Sequence, residues 1–248
     1  LRTYFIFLSL FIFYNNLREK KIELIYILIN CFFGILIFLS GERSSFFLFI
    51  FALILSFILL NQIRFKLILK FIVLFLIIIS SISIFDGSIR DRIFKKTIDQ
   101  FTNKDKSELY IFTEVHHGHY MSAKLMFREN LFFGVGPKNF KVKCKEEKYK
   151  YYKARCETHP HNYYFQLFSE LGFFGGISLL LLFLVISIEL FKIFIKNKNQ
   201  EDFKTILVIA LFIFIWPITP HGNFFSNWII MLFLMPLSFY KHLSYKKV

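Results

Sequence analysis

The chain has 248 residues, 56% of them hydrophobic, and its 31 Lys and Arg against 17 Asp and Glu leave a formal net charge of +14. A soluble core cannot absorb apolar runs approaching 20 residues, so composition and a positive mean hydropathy place the chain among integral membrane proteins. The charge does not indicate nucleic-acid binding: no nucleic-acid motif is present, almost half of the basic residues flank apolar runs, and most of the others fall in one long hydrophilic segment, where an anionic phospholipid or lipid diphosphate is the fitting partner.

Seven apolar segments are predicted, at 1–14, 22–40, 46–60, 65–85, 163–191, 205–219 and 224–240. The first is too short to cross a bilayer and has neither an initiator Met nor a basic region before it, so it reads as a cut-off transmembrane helix and not a signal peptide. On this reading the chain is the C-terminal part of a longer protein. The expected fold is all-α: a polytopic integral membrane helical bundle with transmembrane helices over 1–85, one large external loop over 86–162 and C-terminal transmembrane helices over 163–248.

Short-loop basic residues set the expected topology. Arg18, Lys20 and Lys21, then Arg64, Lys66 and Lys70, then Lys192, Lys196, Lys198 and Lys204, and finally Lys241, Lys246 and Lys247 lie on alternate sides of successive spans, which makes those loops cytoplasmic. The surroundings of Arg43, the segment 86–162 and His221 to Asn223 are then external. The long segment is itself basic, but loops beyond about 60 residues translocate largely regardless of charge.

That segment is too long for an idle connector. In its first part Ile89, Ile93, Ile98 and Phe101 alternate with basic groups, as expected of a helix lying along the membrane interface, where Arg90 and Arg92 either meet a phosphate or anchor to the lipid surface. His116, His117 and His119 suggest metal ligation by residue type, yet their spacing matches no zinc motif and no Cys or carboxylate cluster completes them, so no metal is expected. Arg128 reads as an exposed loop residue and only secondarily as a substrate contact. Cys144 and Cys156, twelve positions apart in the external segment, are a disulfide candidate in an oxidising compartment, whereas Cys31 falls within a span.

The run from Thr158 to Gly176, THPHNYYFQLFSELGFFGG, joins a histidine-bearing loop to a long apolar helix that carries a carboxylate. Pro160 suits a first helical turn, which leaves His161 and Asn162 at the helix start among free backbone N–H groups that attract anions. Asn162, Gln166 and Glu170 recur every four residues and share one face, about 12 Å long at 1.5 Å per residue, which must face protein or water. Gly172 and Gly176 stand four apart as a small-residue surface for a neighbouring helix. Read without further comparison, this is equally a membrane helix with an interfacial histidine and a structural Glu. No Walker loop, Rossmann glycine pattern or Ser-His-Asp order is present, so neither ATP-driven nor hydrolytic chemistry is supported and no cofactor is expected.

The same run resembles the signature of the O-antigen ligase family of polytopic glycosyltransferases, which includes lipopolysaccharide O-antigen ligases, Wzy-like polymerases and some protein-glycosylating enzymes. Its pattern of His-Asn, a Gln and Glu-x-Gly-x-x-Gly is met by His161, Asn162, Gln166, Glu170, Gly172 and Gly175. A second block, MFRENLFFGVGPKNF from Met126 to Phe140, resembles the family's Gly-x-Gly-Pro segment in the large external loop, and SGERSSFFLF from Ser40 resembles its arginine at an external helix end. Where the family often carries a further arginine upstream of an aromatic residue, this chain has His116 before Tyr120.

The resemblance implies transfer of a glycan from a polyprenyl diphosphate carrier to an acceptor hydroxyl, on lipid A core or on a growing glycan, outside the bacterial inner membrane and without a nucleotide. A histidine suits proton acceptance near pH 7 and arginines suit diphosphate oxygens. His161 is the candidate base, with His159 beside it as the second candidate. Arg43, Arg90 and Arg92, together with His159, Asn162 and Glu170, form the expected substrate-binding set. Glu170 orients neighbouring polar groups or makes a structural interhelical hydrogen bond. The reading from another class is a non-catalytic transporter or flippase-like protein for lipid-linked sugars, but the ionisable residues gather at one external helix end and mark no charged pathway through several spans. A purely structural membrane subunit is the third.

Overall fold

The structure, a computed structural model, describes residues 23–60, 65–102, 113–151, 155–196 and 202–245. The first predicted apolar segment and the anchors Arg18, Lys20, Lys21, Arg64, Lys198, Lys246 and Lys247 lie outside these residues. Every regular element among the described residues is helical. In chain order they are α1 (Glu23–Leu39), α2 (Arg43–Leu59), α3 (Phe65–Phe85), α4 (Gly87–Arg90), a π-helical turn (Asp91–Lys95), α5 (Lys96–Thr102), α6 (Glu114–Glu129), α7 (Phe140–Lys143), α8 (Tyr163–Lys196), α9 (Asp202–Phe214) and α10 (Asn227–Tyr245).

Among the described residues one helix, Tyr163–Ile195, is long and apolar enough to cross a membrane, and a bent pair, Leu69–Phe85 with Gly87–Asp99, passes the same test if taken as one span. Leu28–Leu39 and Arg43–Leu59 are shorter apolar helices. The predicted apolar segments beyond residue 22 therefore all fold as helices, and a helix satisfies its own backbone hydrogen bonds as lipid requires.

The chain divides into two compact units, the first comprising Leu1–Asp99, Glu189–Phe214 and Met235–Val248, and the second Gln100–Ile188 with Ile215–Leu234. In the first unit α1 packs on α2 and α3, and α9 on α2. Gly34 makes the α1 contact possible: a Cβ there would lie 2.6 Å from the Phe75 ring and 2.7 Å from that of Phe49. Apolar on every side, α9 is buried almost throughout. Its polar residues fall in the first turn, where Lys204 pairs with Glu189 at 3.1 Å and lies over the Tyr240 ring.

At the end of α3 the chain turns by 110° into the segment predicted to lie along the interface. Asp86 makes the turn by capping α4, accepting hydrogen bonds from the Ser88 and Ile89 backbone N–H groups at 2.9 and 3.4 Å. The helix predicted over this segment runs without a gap from Gly87 to Thr102, with the π turn Asp91–Lys95 inside it. Ile93 is buried, Ile98 is exposed, and the Phe101 side chain lies outside the described residues.

The second unit is organised around a break in α8. Gly172 leaves helical geometry at φ 69°, ψ −156°, and the chain following α6 docks into the gap. Val135 N–H donates to the Ser169 carbonyl at 2.9 Å, Gly136 N–H to the Glu170 carbonyl at 2.9 Å, and Phe173 N–H to the Leu131 carbonyl at 2.6 Å. Gly172 and Gly176 were expected to form a surface for another helix. What fills the Gly172 side is backbone, since a Cβ there would lie 2.3 Å from the Phe132 carbonyl oxygen, and the Phe168 ring of the same helix covers Gly176. Gly134 is the reciprocal half of the contact, at φ +67° with its missing Cβ 2.4 Å from the Glu170 carbonyl carbon.

Gly172→Ala therefore meets both a positive φ and a backbone clash. It should destabilise the second unit by about 1–3 kcal/mol or more, read as a lower melting temperature of the purified protein. Gly87→Ala, whose added Cβ meets only the flexible end of Arg90 at 3.4 Å, should stay within about 0.5 kcal/mol.

Candidate functional site

The helix carrying the histidine motif begins later than its Pro suggests. Pro160 is outside α8, which starts at Tyr163, because Asn162 acts as the N-cap: its Oδ1 accepts the Tyr164 and Phe165 N–H groups at 2.9 and 3.3 Å. The free N–H groups expected to attract an anion are thus occupied by the protein's own side chain. The Asn162 Nδ2 donates to the Pro217 carbonyl at 2.7 Å and contacts that of Thr219 at 3.5 Å. Asn162 was expected among substrate contacts, but its amide is engaged at both ends by the fold.

Gln166 and Glu170 follow on the same face, buried completely. Gln166 Nε2 donates to Glu170 Oε2 at 3.0 Å and to Asn223 Oδ1 at 2.8 Å, while its Oε1 accepts Phe224 N–H at 2.9 Å. Glu170 Oε1 accepts Phe140 N–H at 2.8 Å, at the start of α7. Both carboxylate oxygens are therefore paired, as a buried carboxylate requires, and Oε1 ties α8 to the start of α7. Of the two roles expected for Glu170, the structural one matches this geometry.

The histidines lie just before the cap. His159 is buried; its Nε2 meets the His221 carbonyl at 3.2 Å and its Nδ1 the Thr158 hydroxyl at 2.9 Å. A carbonyl only accepts, so Nε2 carries the proton and Nδ1 accepts from Thr158. Burial, followed by the adjacent His161, lowers the His159 pKa. His161 instead has a left-handed backbone, φ 57°, its side chain is 27% exposed, and its Nε2 lies 2.6 Å from Glu157 Oε2. That hydrogen bond is the main cause that lowers the Glu157 pKa. With Nε2–H directed at a carboxylate, the neutral imidazole presents its lone pair on Nδ1.

Further imidazoles from α6 close around this pair. The His161 ring lies 4.3 Å from that of His159, 5.5 Å from His116 and 5.6 Å from His119, measured between centroids. His119 is fully buried and neither ring nitrogen has a hydrogen-bond partner. Burial first, then the neighbouring His161, pushes its pKa down to about 4, which keeps it neutral. His119, Glu157 and His161 offer ligand atoms all within 4.8 Å of one another. The trio predicted from sequence is thereby divided: His117 turns to the Tyr151 ring, while His119 joins a carboxylate and a histidine from elsewhere. One turn beyond His116 on α6, Tyr120 stacks on Phe165 at 4.4 Å.

Cys144 and Cys156 are joined in the structure, with Cα atoms 5.4 Å apart. Cys144 belongs to a buried cluster with Ala123, Met126, Phe140 and Tyr149, so the bond ties the residue preceding Glu157 to the core beneath α6.

Arg43, Arg90 and Arg92 belong to the first unit, and the four other predicted site residues to the second. Arg92 lies on the turn before Arg43. Its Nη2 pairs with Glu42 at 3.1 Å, and Gly41, at φ +66°, leaves room for its side chain, whose Cδ would be 2.9 Å from a Cβ. Arg90 pairs with Asp91 at 3.1 Å. The Arg92 side chain thus lies at the turn that leads into Arg43, the first residue of α2.

The O-antigen ligase family model matches residues 27–180. The matched region takes in Arg43, Arg92, the docked Gly134–Gly136 segment and the whole of the His161 to Gly175 motif. The chain belongs to the O-antigen ligase family. No curated protein and no solved structure matches it. Within the family's motif, the two glycine blocks are what the chain uses to lock residues 131–136 against α8, and His161 is the motif residue left with an accessible side chain.

Sequence reasoning missed Glu157 and did not connect His119 to it. Glu157 is four residues before His161, but the intervening backbone is irregular, so no helical or strand period points from one to the other.

Reducing the Cys144–Cys156 bond should loosen the Glu157 segment and cost about 2–4 kcal/mol. A lower melting temperature with reductant, and a linked peptide pair by mass spectrometry without it, check this; recovery of both as free thiols from an oxidising compartment contradicts it.

Proposed function

We propose that this chain is part of a multi-pass enzyme of the bacterial inner membrane that transfers a glycan from a polyprenyl diphosphate carrier to an acceptor hydroxyl, of lipid A core or of a growing glycan, on the periplasmic side. Membership of the O-antigen ligase family supports the reaction class. The observation that carries the assignment of roles is the 2.6 Å contact between Glu157 and the half-buried, motif-borne His161.

In this reading the acceptor hydroxyl gives its proton to His161 Nδ1 as its oxygen bonds to the anomeric carbon of the donor sugar. The bond from that carbon to the diphosphate oxygen breaks, and the diphosphate leaves with the electron pair. Glu157 fixes the ring and its tautomer through Nε2–H and stabilises the imidazolium that forms, as carboxylates do in other acid–base pairs. The strained φ of His161 is consistent with this, since such backbone persists where the surroundings impose it. His159, with both nitrogens engaged, supports the ring wall.

The leaving diphosphate is assigned to Arg43, Arg90 and Arg92. The Arg92 side chain crosses the turn at Gly41 and Glu42 that leads into Arg43, at a helix N-terminus whose dipole also favours anions. Basic residues of the 86–162 segment, read as external, then face anionic lipid.

The test is glycan transfer by the reconstituted full-length protein, using variants confirmed to be inserted and folded. His161→Ala should lower the rate by about 10² to 10⁴, Glu157→Gln by a smaller factor, and His159→Ala least. A His161→Ala protein working at the parental rate removes the base assignment. Arg43→Lys should insert normally and lose much of the transfer, because an ammonium cannot reproduce the bidentate fork; unchanged transfer would make Arg43 an ordinary interfacial anchor.

A further inference from the structure

We propose that His119, Glu157 and His161 form a binding site for a zinc-class divalent ion, and that an ion there shuts off the transfer reaction by occupying His161. The second half rests on the function proposed above; the first does not.

Geometry and donor chemistry carry the site. The three residues come from α6, from the segment tied down by the disulfide and from the residue before the α8 cap, and their ligand atoms lie within 4.8 Å of one another. Two imidazoles and one carboxylate with a fourth position open form a donor set that zinc takes, at about 2.0–2.2 Å per ligand. Magnesium and calcium prefer oxygen alone. Bringing three ligands onto one tetrahedral ion requires them about 3.3–3.6 Å apart. The His119 ligand atom must then draw in, while the Glu157–His161 contact opens from 2.6 Å.

The second, independent observation is His119 itself. It is 0% exposed, and both of its ring nitrogens lack a hydrogen-bond partner. Leaving a buried polar group so is costly, and it stands beside the Glu157–His161 pair. A metal ion satisfies it. The neighbouring imidazoles are committed elsewhere, His159 to Thr158 and His221, and His116 through Nδ1 to Thr113. An ion bound to Glu157 and to His161 Nε2 replaces the hydrogen bond that orients the ring and leaves the imidazole proton on Nδ1, so that this atom has no lone pair for the acceptor hydroxyl's proton.

Cobalt(II) gives this site a readout that needs no turnover, since a tetrahedral Co²⁺ centre absorbs visible light. Full-length protein in detergent, stripped with chelator, is titrated with Co²⁺ and then Zn²⁺. The expected result is one equivalent of Co²⁺ per chain, displaced by Zn²⁺. Binding should be lost in both His119→Ala and the bulkier His119→Gln, each checked for folding by its melting temperature, and retained in His242→Ala, a histidine in the first unit. No stoichiometric band in the parent, or an undiminished band in both His119 variants, overturns the site. With the site filled, parental transfer should fall at least tenfold and recover on chelation; transfer at full rate with Zn²⁺ bound overturns the shut-off. A parent that binds the ion but shows no transfer even when metal-free would count against the proposed function, and the spectroscopic result would still decide the site.

Discussion

The second unit depends on one close approach: the backbone of residues 132–136 lying in the gap that Gly172 opens in α8. Three backbone hydrogen bonds cross this contact, and each side has a glycine exactly where a Cβ would strike the other's peptide group. Because a helix interrupted in apolar surroundings leaves polar groups that must be paired, the docked segment is what makes the break tolerable. Glu170 closes the arrangement from one turn earlier by accepting the Phe140 N–H, so the interruption, the docked segment and α7 stand or fall together.

The histidine group inherits its geometry from that framework. Asn162 caps α8 and grips the Pro217 carbonyl, and His161 stands just before that cap in a left-handed conformation. The disulfide holds Cys156, and with it Glu157, against the core under α6, and α6 in turn supplies His116 and His119. Three chain segments therefore converge on one carboxylate. The environments of the imidazoles differ accordingly: His119 is buried without a hydrogen-bond partner at either ring nitrogen, His159 is buried and bonded to the backbone, and His161 is bonded to Glu157 and partly open. Distinct environments for adjacent groups of one chemical type are what allow them distinct roles.

In the first unit the same economy of backbone appears at Gly41, where a positive φ lets the Arg92 side chain cross the turn that leads into Arg43. Arg92 reaches this turn only because α3 ends in the Asp86 cap and the chain bends sharply there. Arg92, paired with Glu42, thereby adds a positive charge to the helix N-terminus at which Arg43 stands.

Much of this was legible in the sequence by itself. Long apolar runs determined the helical class, since only self-paired backbone suits so little polar side chain. The spacing of Asn162, Gln166 and Glu170 determined that one polar face must turn toward protein, and motif residues such as His161 and Gly134 pointed to the family. Tertiary structure alone decided what those residues do. Pro160 suggested a helix start, but the Asn162 side chain outcompeted it because a cap satisfies N–H groups that Pro merely lacks. Gly172 and Gly176 fitted a helix-packing pattern, yet a single positive φ converted the first into a docking gap for backbone. Glu157 and His119 carried no readable signal, because proximity between irregular segments and a helix 38 residues upstream has no period in the sequence; only the fold, through the disulfide and the buried face of α6, brings them to His161.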